Sequence, residues 1–124
     1  MTEANKEYDM IVVMTQGAND EVSSVGLTLA NGAMTAGMNV GLFLTSNAID
    51  LVRKNALEHT HVQPMEPLKD LMHAFIDRGG DVWACPPCTN SRGYDEGSLI
   101  DGVIIHGASV IFERIKKGAN TLCF

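Results

Sequence analysis

Two cysteines separated by two prolines are the residues of this chain best suited to chemistry. The motif Cys85-Pro86-Pro87-Cys88 directly follows the short apolar run Val82-Trp83-Ala84. A thiolate is a nucleophile and a metal ligand, and a pair of neighbouring thiols can cycle between dithiol and disulfide. The spacing therefore predicts a redox, catalytic or metal-binding site, although both residues could also be small apolar fillers in a turn.

The prolines restrict how the two cysteines are presented. Cys85 precedes a proline, so it should be extended, and a following helix should begin no earlier than Pro87. The free N–H groups of such a helix would favour an anion on the sulfur of Cys85, and Arg92 could add positive charge. A lowered thiol pKa makes a cysteine nucleophilic near neutral pH, so we predict Cys85 as the reactive thiol.

Composition restricts the class of protein. The chain has 124 residues, of which 45% are hydrophobic and 19% charged, with a net charge of -6. These values predict one domain over residues 1–124 that buries a core, with residues 1–8 as a polar N-terminal tail. The acidic balance argues against nucleic acid or an anionic membrane as a partner. Because the tail lacks signal-peptide features and no apolar stretch approaches ~20 residues, we expect a cytoplasmic protein.

Five short apolar runs alternate with helical patterns along the chain. The predicted strands are Met10–Thr15, Asn39–Thr45, Asp81–Ala84, Val103–Ile105 and Thr121–Phe124. Continuous apolar runs are typical of strands buried on both faces of a parallel sheet. The pattern predicts an α/β three-layer sandwich with a mostly parallel sheet of about five strands, covered on both faces by helices.

The predicted helices follow from apolar spacing and capping residues. The first is capped by Asn19 or Asp20, ends at Gly37 and carries an apolar face of Val22, Val25, Leu29, Ala33 and Met34. Another begins near Pro67 and uses Leu68, Leu71, Met72, Phe75 and Ile76. Further helices are expected at Ala48 to about Lys54, near Asp95–Ile100, and at Ser109–Lys117.

Three loops should meet at the carboxyl edge of this sheet, where ligands collect in open α/β folds. They are Gln16–Asp20, Ser46–Asp50 and Cys85–Tyr94. Within them we predict Asn19 and Arg92 as substrate-binding residues. Gly17 stands alone and forms neither a dinucleotide fingerprint nor a phosphate loop, so no cofactor is expected.

The remaining candidates have weaker support. His59 and His61 could in principle complete a zinc site with the two thiols, but their spacing is unfamiliar for zinc and we predict no metal. His73 and His106 are expected to be structural or on the surface, although His106 could reach the carboxyl edge. Cys123 lies between two apolar residues, which predicts a place in the core.

The order of these features resembles the DsrE/DsrF-like superfamily, which includes small sulfur-relay proteins. The resemblance rests on the opening strand with Thr15–Asp20, the helix and strand that lead to Cys85, the pair Arg92-Gly93 with Leu99–Gly102, and Gly107–Ser109 with the final strand. It implies that Cys85 carries sulfur as a persulfide and passes it to a partner protein. It also implies a homotrimer or homohexamer.

The resemblance leaves the reaction open because Cys88 has no required counterpart in a one-cysteine relay. We expect a sulfur carrier, or sulfurtransferase, in which Cys85 forms the persulfide and Cys88 assists. The first alternative is a thiol–disulfide protein of peroxiredoxin-like type that uses both cysteines. The second is a non-enzymatic oligomeric module that binds a partner or a metal.

Overall fold

A single parallel sheet organises the computed structural model, which describes residues 7–58 and 65–124. The strands are β1 (Met10–Met14), β2 (Val40–Leu44), β3 (Asp81–Ala84), β4 (Val103–Ile105) and β5 (Asn120–Cys123). The helices are α1 (Glu21–Thr35), α2 (Leu68–Asp77), α3 (Pro86–Ser91) and α4 (Ser109–Lys116). Two 3₁₀ helices cover Ser46–Val52 and Glu96–Ser98. None of the helices in these ranges is long and apolar enough to cross a membrane.

The strand order is β4-β3-β2-β1-β5, and every neighbouring pair is parallel. The predicted five-stranded parallel sheet is therefore confirmed, and this order is what the sequence could not supply. Because β1, β2 and β3 are adjacent, the three loops that follow them lie side by side at the carboxyl edge. All five residues of the middle strand, β2, are buried.

Two separate cores cover the two faces of the sheet, which confirms the predicted three layers. The larger core joins side chains of β1, β2 and β3 to α1, α2 and the 3₁₀ helix at Ser46–Val52. The smaller core places α4 against the opposite face, where Phe43 and Trp83 lie beside Val110. Side chains alternate between the faces along a strand, so each strand contributes to both cores.

The predicted apolar face of α1 is partly wrong. Val22 and Leu29 are exposed, and the helix instead buries Ser23, Ser24, Gly26, Leu27 and Ala30. Small residues allow a closer approach to the sheet than the apolar stripe would: a Cβ added to Gly26 would lie 3.1 Å from Cε of Met14. The predicted ends are confirmed, because Asp20 accepts the N–H of Val22 at 2.9 Å and Gly37 follows the helix with a φ of +91°.

The other helices agree more closely with expectation. Helix α2 follows Pro67 and buries Leu68, Leu71, Met72 and Phe75, as predicted. The helix expected from Ala48 is a 3₁₀ helix that begins two residues earlier, at Ser46.

The core placement expected for Cys123 is wrong. Its side chain is exposed, because β5 is an edge strand with all four of its residues exposed to solvent.

Candidate thiol site

Helix α3 sets the spacing of the two cysteines. Cys85 is the residue before the helix and has the predicted extended backbone, with φ -64° and ψ 125°. The helix begins at Pro86, one residue earlier than expected. Pro86 and Pro87 occupy the first two helical positions, where a missing backbone N–H costs no hydrogen bond. Cys88 therefore lies within the first turn, close to the end of β3.

The sequence predicts that the free N–H groups of the helix favour an anion on the sulfur of Cys85. The structure shows a different arrangement of hydrogen bonds. The Cys85 side chain accepts no capping hydrogen bond, and its backbone carbonyl takes the N–H of Thr89 at 3.0 Å. The half-buried side chain packs against both cores instead. The physical reason is the extended backbone at Cys85, which aims its carbonyl rather than its thiol at the first turn.

Two polar groups from the segment after β2 lie within hydrogen-bonding distance of the sulfur of Cys88. The backbone N–H of Ser46 points at Sγ from 3.2 Å, and the hydroxyl oxygen of Thr45 lies 3.4 Å from it. Both residues directly follow β2, the neighbour of β3 in the sheet. Ser46 has a φ of +55°, a left-handed conformation that non-glycine residues rarely adopt and that is often found at functional sites.

These contacts lower the pKa of the Cys88 thiol. The hydroxyl of Thr45 is the largest cause, and the Ser46 N–H, the thiol of Cys85 and the charge of Arg92 act in the same direction. Partial burial opposes them by disfavouring the charged form. A thiolate is the nucleophilic form of cysteine, so these contacts make Cys88 a candidate nucleophile.

Arg92 joins the cysteine turn to the segment after β2. One terminal nitrogen donates to the carbonyl of Cys88 at 3.1 Å, and the other donates to Oδ1 of Asn47 at 3.1 Å. Of the two substrate-binding residues predicted from the sequence, Arg92 thus lies within the thiol site. Its guanidinium is positioned by hydrogen bonds and supplies fixed positive charge next to Cys88.

A polar cleft of about 480 Å³ lies between the loop after β1 and the segment after β2. Asn19, the other predicted substrate-binding residue, lines this cleft rather than the cysteine turn. Asn47 also lines it, so the cleft and the thiol site share a wall. Asp50 and Arg53 contribute opposite charges to the cleft.

Tyr94 supports the cleft from the cysteine side. Its hydroxyl donates to Oδ1 of Asp50 at 2.9 Å. Burial, followed by the hydrogen bond and the charge of Asp50, raises the pKa of Tyr94, so it stays a protonated donor at neutral pH. None of Thr45, Asp50, Arg53 and Tyr94 was identified as a site residue from the sequence. Thr45 could have been identified from its position at the end of a predicted strand.

The histidines add nothing to this site among the described residues. His59 and His61 lie outside them. His73 is exposed on α2, and His106 follows β4 with Nδ1 2.9 Å from the carbonyl of Gly107. Within 7–58 and 65–124 no three His, Cys, Asp or Glu side chains are grouped so as to hold a metal ion.

Replacing Thr45 with valine tests the cause of the lowered pKa. Valine has the shape of threonine without its hydroxyl, so Thr45→Val should raise the pKa of Cys88 towards its ordinary value. The rate of alkylation of Cys88 by iodoacetamide, followed by peptide mass spectrometry, should then rise at a higher pH than in the parent protein.

Thr121→Val, on the exposed edge strand β5, is the matched control. An unchanged pH profile in Thr45→Val would show that the hydroxyl does not stabilise the thiolate.

The chain is similar to known proteins in both family and fold. A model of the DsrE/DsrF-like family matches residues 9–124. The uncharacterized protein MK0008 of Methanopyrus kandleri is 26% identical over 118 residues, which is 94% of each chain. The ychN protein from E. coli has the same fold, with a TM-score of 0.76, 20% identity and coverage of 96% of this chain and 100% of its own. MTH1491 of Methanobacterium thermoautotrophicum, a protein of unknown function, has a TM-score of 0.73 at 15% identity, covering 95% and 100%.

Proposed function

The chain belongs to the DsrE/DsrF-like family, and on that premise we propose that it is a sulfur carrier whose Cys88 takes up sulfur as a persulfide and passes it to a partner. Sulfur relay is consistent with the family. The observation that carries the proposal is the sulfur of Cys88, which receives the N–H of Ser46 and lies beside the hydroxyl of Thr45. These donors stabilise the thiolate that such a reaction needs.

The proposed reaction consists of two displacements at sulfur. The Cys88 thiolate attacks the outer sulfur of a donor R–S–SH, forms Cys88–S–SH and releases R–S⁻, which takes up a proton. An acceptor thiolate then attacks the outer sulfur of Cys88–S–SH, becomes a persulfide and restores the Cys88 thiolate. No net oxidant or reductant is consumed, and Arg92 supplies positive charge beside the sulfur that changes its bonding.

In this scheme Cys85 has a supporting role. Its thiol acts to lower the pKa of Cys88, and the two residues stand three apart at the start of α3. As a thiolate, Cys85 could attack the inner sulfur of Cys88–S–SH, which would form a Cys85–Cys88 disulfide and release HS⁻. This step would discharge an unused persulfide, and a thiol reductant would then restore both cysteines. The proposal exchanges the roles that the sequence had suggested for the two cysteines.

Intact-protein mass spectrometry tests the function. The chain has three cysteines, and the exposed Cys123 would react with sulfur donors without any special site, so the experiment uses Cys123→Ser as the parent. After incubation with inorganic polysulfide, we expect a gain of one sulfur atom per chain that dithiothreitol removes. An unchanged mass would contradict the proposal. So would a loss of two hydrogens without any gain of sulfur.

The second candidate function is thiol–disulfide exchange, and the spacing of the two cysteines at the start of α3 favours it. A disulfide requires Cα atoms within about 7 Å, and residues three apart at a helix start meet that limit. The mass measurement separates the two functions, because an oxidoreductase would lose two hydrogens and keep no added sulfur. A sulfur carrier would retain sulfur under the same conditions.

We further propose that the protein is a cytoplasmic homo-oligomer, such as a trimer or hexamer, that exchanges sulfur with a donor or acceptor protein. Three cysteines left as free thiols suit a reducing compartment. The support for self-association is an apolar ridge on α4, where Phe112 is 65% exposed and Ile115 lies one turn further on. Exposed apolar patches of this kind are typical of interfaces.

A further inference from the structure

The polar cleft opens beside the thiol site, and its size suits a small molecule. Its volume of about 480 Å³ falls within the range of small-ligand sites. Asn47, which lines it, directly follows Ser46, whose N–H donates to the sulfur of Cys88. Consecutive Cα atoms are about 3.8 Å apart. A ligand of amino-acid size that binds against Asn47 is therefore long enough to reach the sulfur of Cys88.

The wall of the cleft presents one negative and one positive group at a fixed spacing. Asp50 lies within the 3₁₀ helix at Ser46–Val52, and Arg53 is the residue directly after it. Residues three apart in a 3₁₀ helix are on the same side, which is why both side chains line the cleft. Among the described residues, neither Asp50 nor Arg53 forms an ion pair with another side chain.

The carboxylate of Asp50 is held in place and still has capacity to bind. The hydroxyl of Tyr94 donates to its Oδ1, while Oδ2 has no hydrogen-bond donor within the described ranges. The side chain of Arg53 is exposed, and its guanidinium can form two parallel hydrogen bonds with a carboxylate. Asp20 adds a second carboxylate to the cleft, which favours a donor that carries an ammonium group.

We infer that this cleft binds the sulfur donor, and that the donor is a zwitterionic persulfide of the amino-acid class, such as cysteine persulfide. The ammonium group would bind to Asp50 and the carboxylate to Arg53, with the outer sulfur directed past Asn47 to Cys88. The inference rests on the proposed sulfur-carrier function. In the reaction, a Cys88–sulfur bond forms, the S–S bond of the donor breaks, and free cysteine leaves as a thiolate that takes up a proton.

A series of matched donors tests the inference. Cysteine persulfide, its N-acetyl derivative and its ethyl ester carry the same S–SH group, but the second lacks the ammonium group and the third lacks the carboxylate. Loading of the Cys123→Ser parent is followed over time by intact mass. We expect both derivatives to load about tenfold more slowly than cysteine persulfide, because each loses one charge-assisted hydrogen bond.

Two substitutions assign the charges of the donor to residues. Arg53→Gln should remove the preference for cysteine persulfide over its ethyl ester, and Asp50→Asn should remove the preference over the N-acetyl derivative. Asparagine still offers an oxygen to Tyr94. Lys54→Gln is the matched control, since Lys54 lines a different cavity, and it should keep both preferences.

The outcomes separate this inference from the function on which it rests. Equal loading rates for the three donors would overturn it, as would loading by inorganic polysulfide but by none of the amino-acid persulfides. In both cases the sulfur carrier would stand. Failure of every donor, polysulfide included, would overturn the proposed function and this inference together. Preferences that persist in Arg53→Gln and Asp50→Asn would also contradict it.

Discussion

Replacing Cys88 with serine is expected to abolish sulfur loading, whereas Cys85→Ser should retain the first transfer. Serine offers a hydroxyl with no nucleophilic anion at neutral pH, so loading of Cys88→Ser should fall about a hundredfold or more. In Cys85→Ser, the Ser46 N–H and the Thr45 hydroxyl still act on the sulfur of Cys88. The serine hydroxyl at position 85 can still donate a hydrogen bond in place of the thiol, so the reaction should be slowed only modestly.

The measurement compares both variants in the Cys123→Ser parent, so that each retains one cysteine. Polysulfide is added, the gain of sulfur is followed by intact mass, and the modified residue is located by peptide mapping. Cys85→Ser should also hold its persulfide longer than the parent, because no second thiol remains to form the disulfide and release HS⁻. That increase in lifetime would be the signature of Cys85 as the supporting thiol.

The reverse result has an equally definite meaning. If Cys85→Ser lost loading and Cys88→Ser kept it, Cys85 would be the carrier, as the sequence suggested. The donors at Cys88 would then stabilise a thiolate that assists rather than attacks. Loss of loading in both single variants, together with loss of two hydrogens in the parent, would instead favour a disulfide mechanism.

The position of the two cysteines at the end of β3 could be predicted from the sequence, but the hydrogen bonds at Cys88 could not. The apolar run before Cys85 predicted a strand end, and the following proline predicted its extended backbone, both of which the structure has. The donors at Cys88 come from Thr45 and Ser46, more than forty residues earlier in the chain. Their proximity depends on β2 and β3 being neighbours, and strand order is a long-range property that no local pattern contains.

The two errors in placing apolar residues have a common cause. Burial depends on what lies opposite a residue, and periodicity does not report that. In α1 the sheet is approached through Gly26 and Ala30, so Val22 and Leu29 are turned outward. Cys123 lies in a regular strand, but β5 is at the edge of the sheet and leaves it exposed. In both cases the tertiary arrangement outweighs the local pattern.

A glycine in the central strand controls the packing of β2 against β3, the strand that leads into the thiol site. Gly41 pairs with Asp81, and the ring of Trp83 lies across the position where a side chain of Gly41 would be. The ring has little freedom to move, since it is fully buried and Tyr8 packs edge-on against it with centroids 5.3 Å apart. The hydroxyl of Tyr8 is in turn hydrogen-bonded to Asp81.

We therefore expect Gly41→Ala to lower the free energy of unfolding by about 3 kcal/mol, the upper part of the usual range for overpacking in a core. The added methyl would overlap Cζ3 and Cη2 of Trp83 and lie 3.1 Å from Cδ1 of Ile11, so a small shift of the backbone cannot relieve the overlap.

Gly32→Ala is the matched control. Gly32 is exposed in α1 with no atom near the added methyl, so this change should raise stability by about 0.5–1 kcal/mol through helix propensity. Urea unfolding measures both, and a Gly41→Ala protein as stable as the parent would mean that Trp83 can leave the face of Gly41. In that case the packing of β3 would not depend on this contact, and the Cys85–Cys88 turn would have to be held mainly by Arg92 and by the segment after β2.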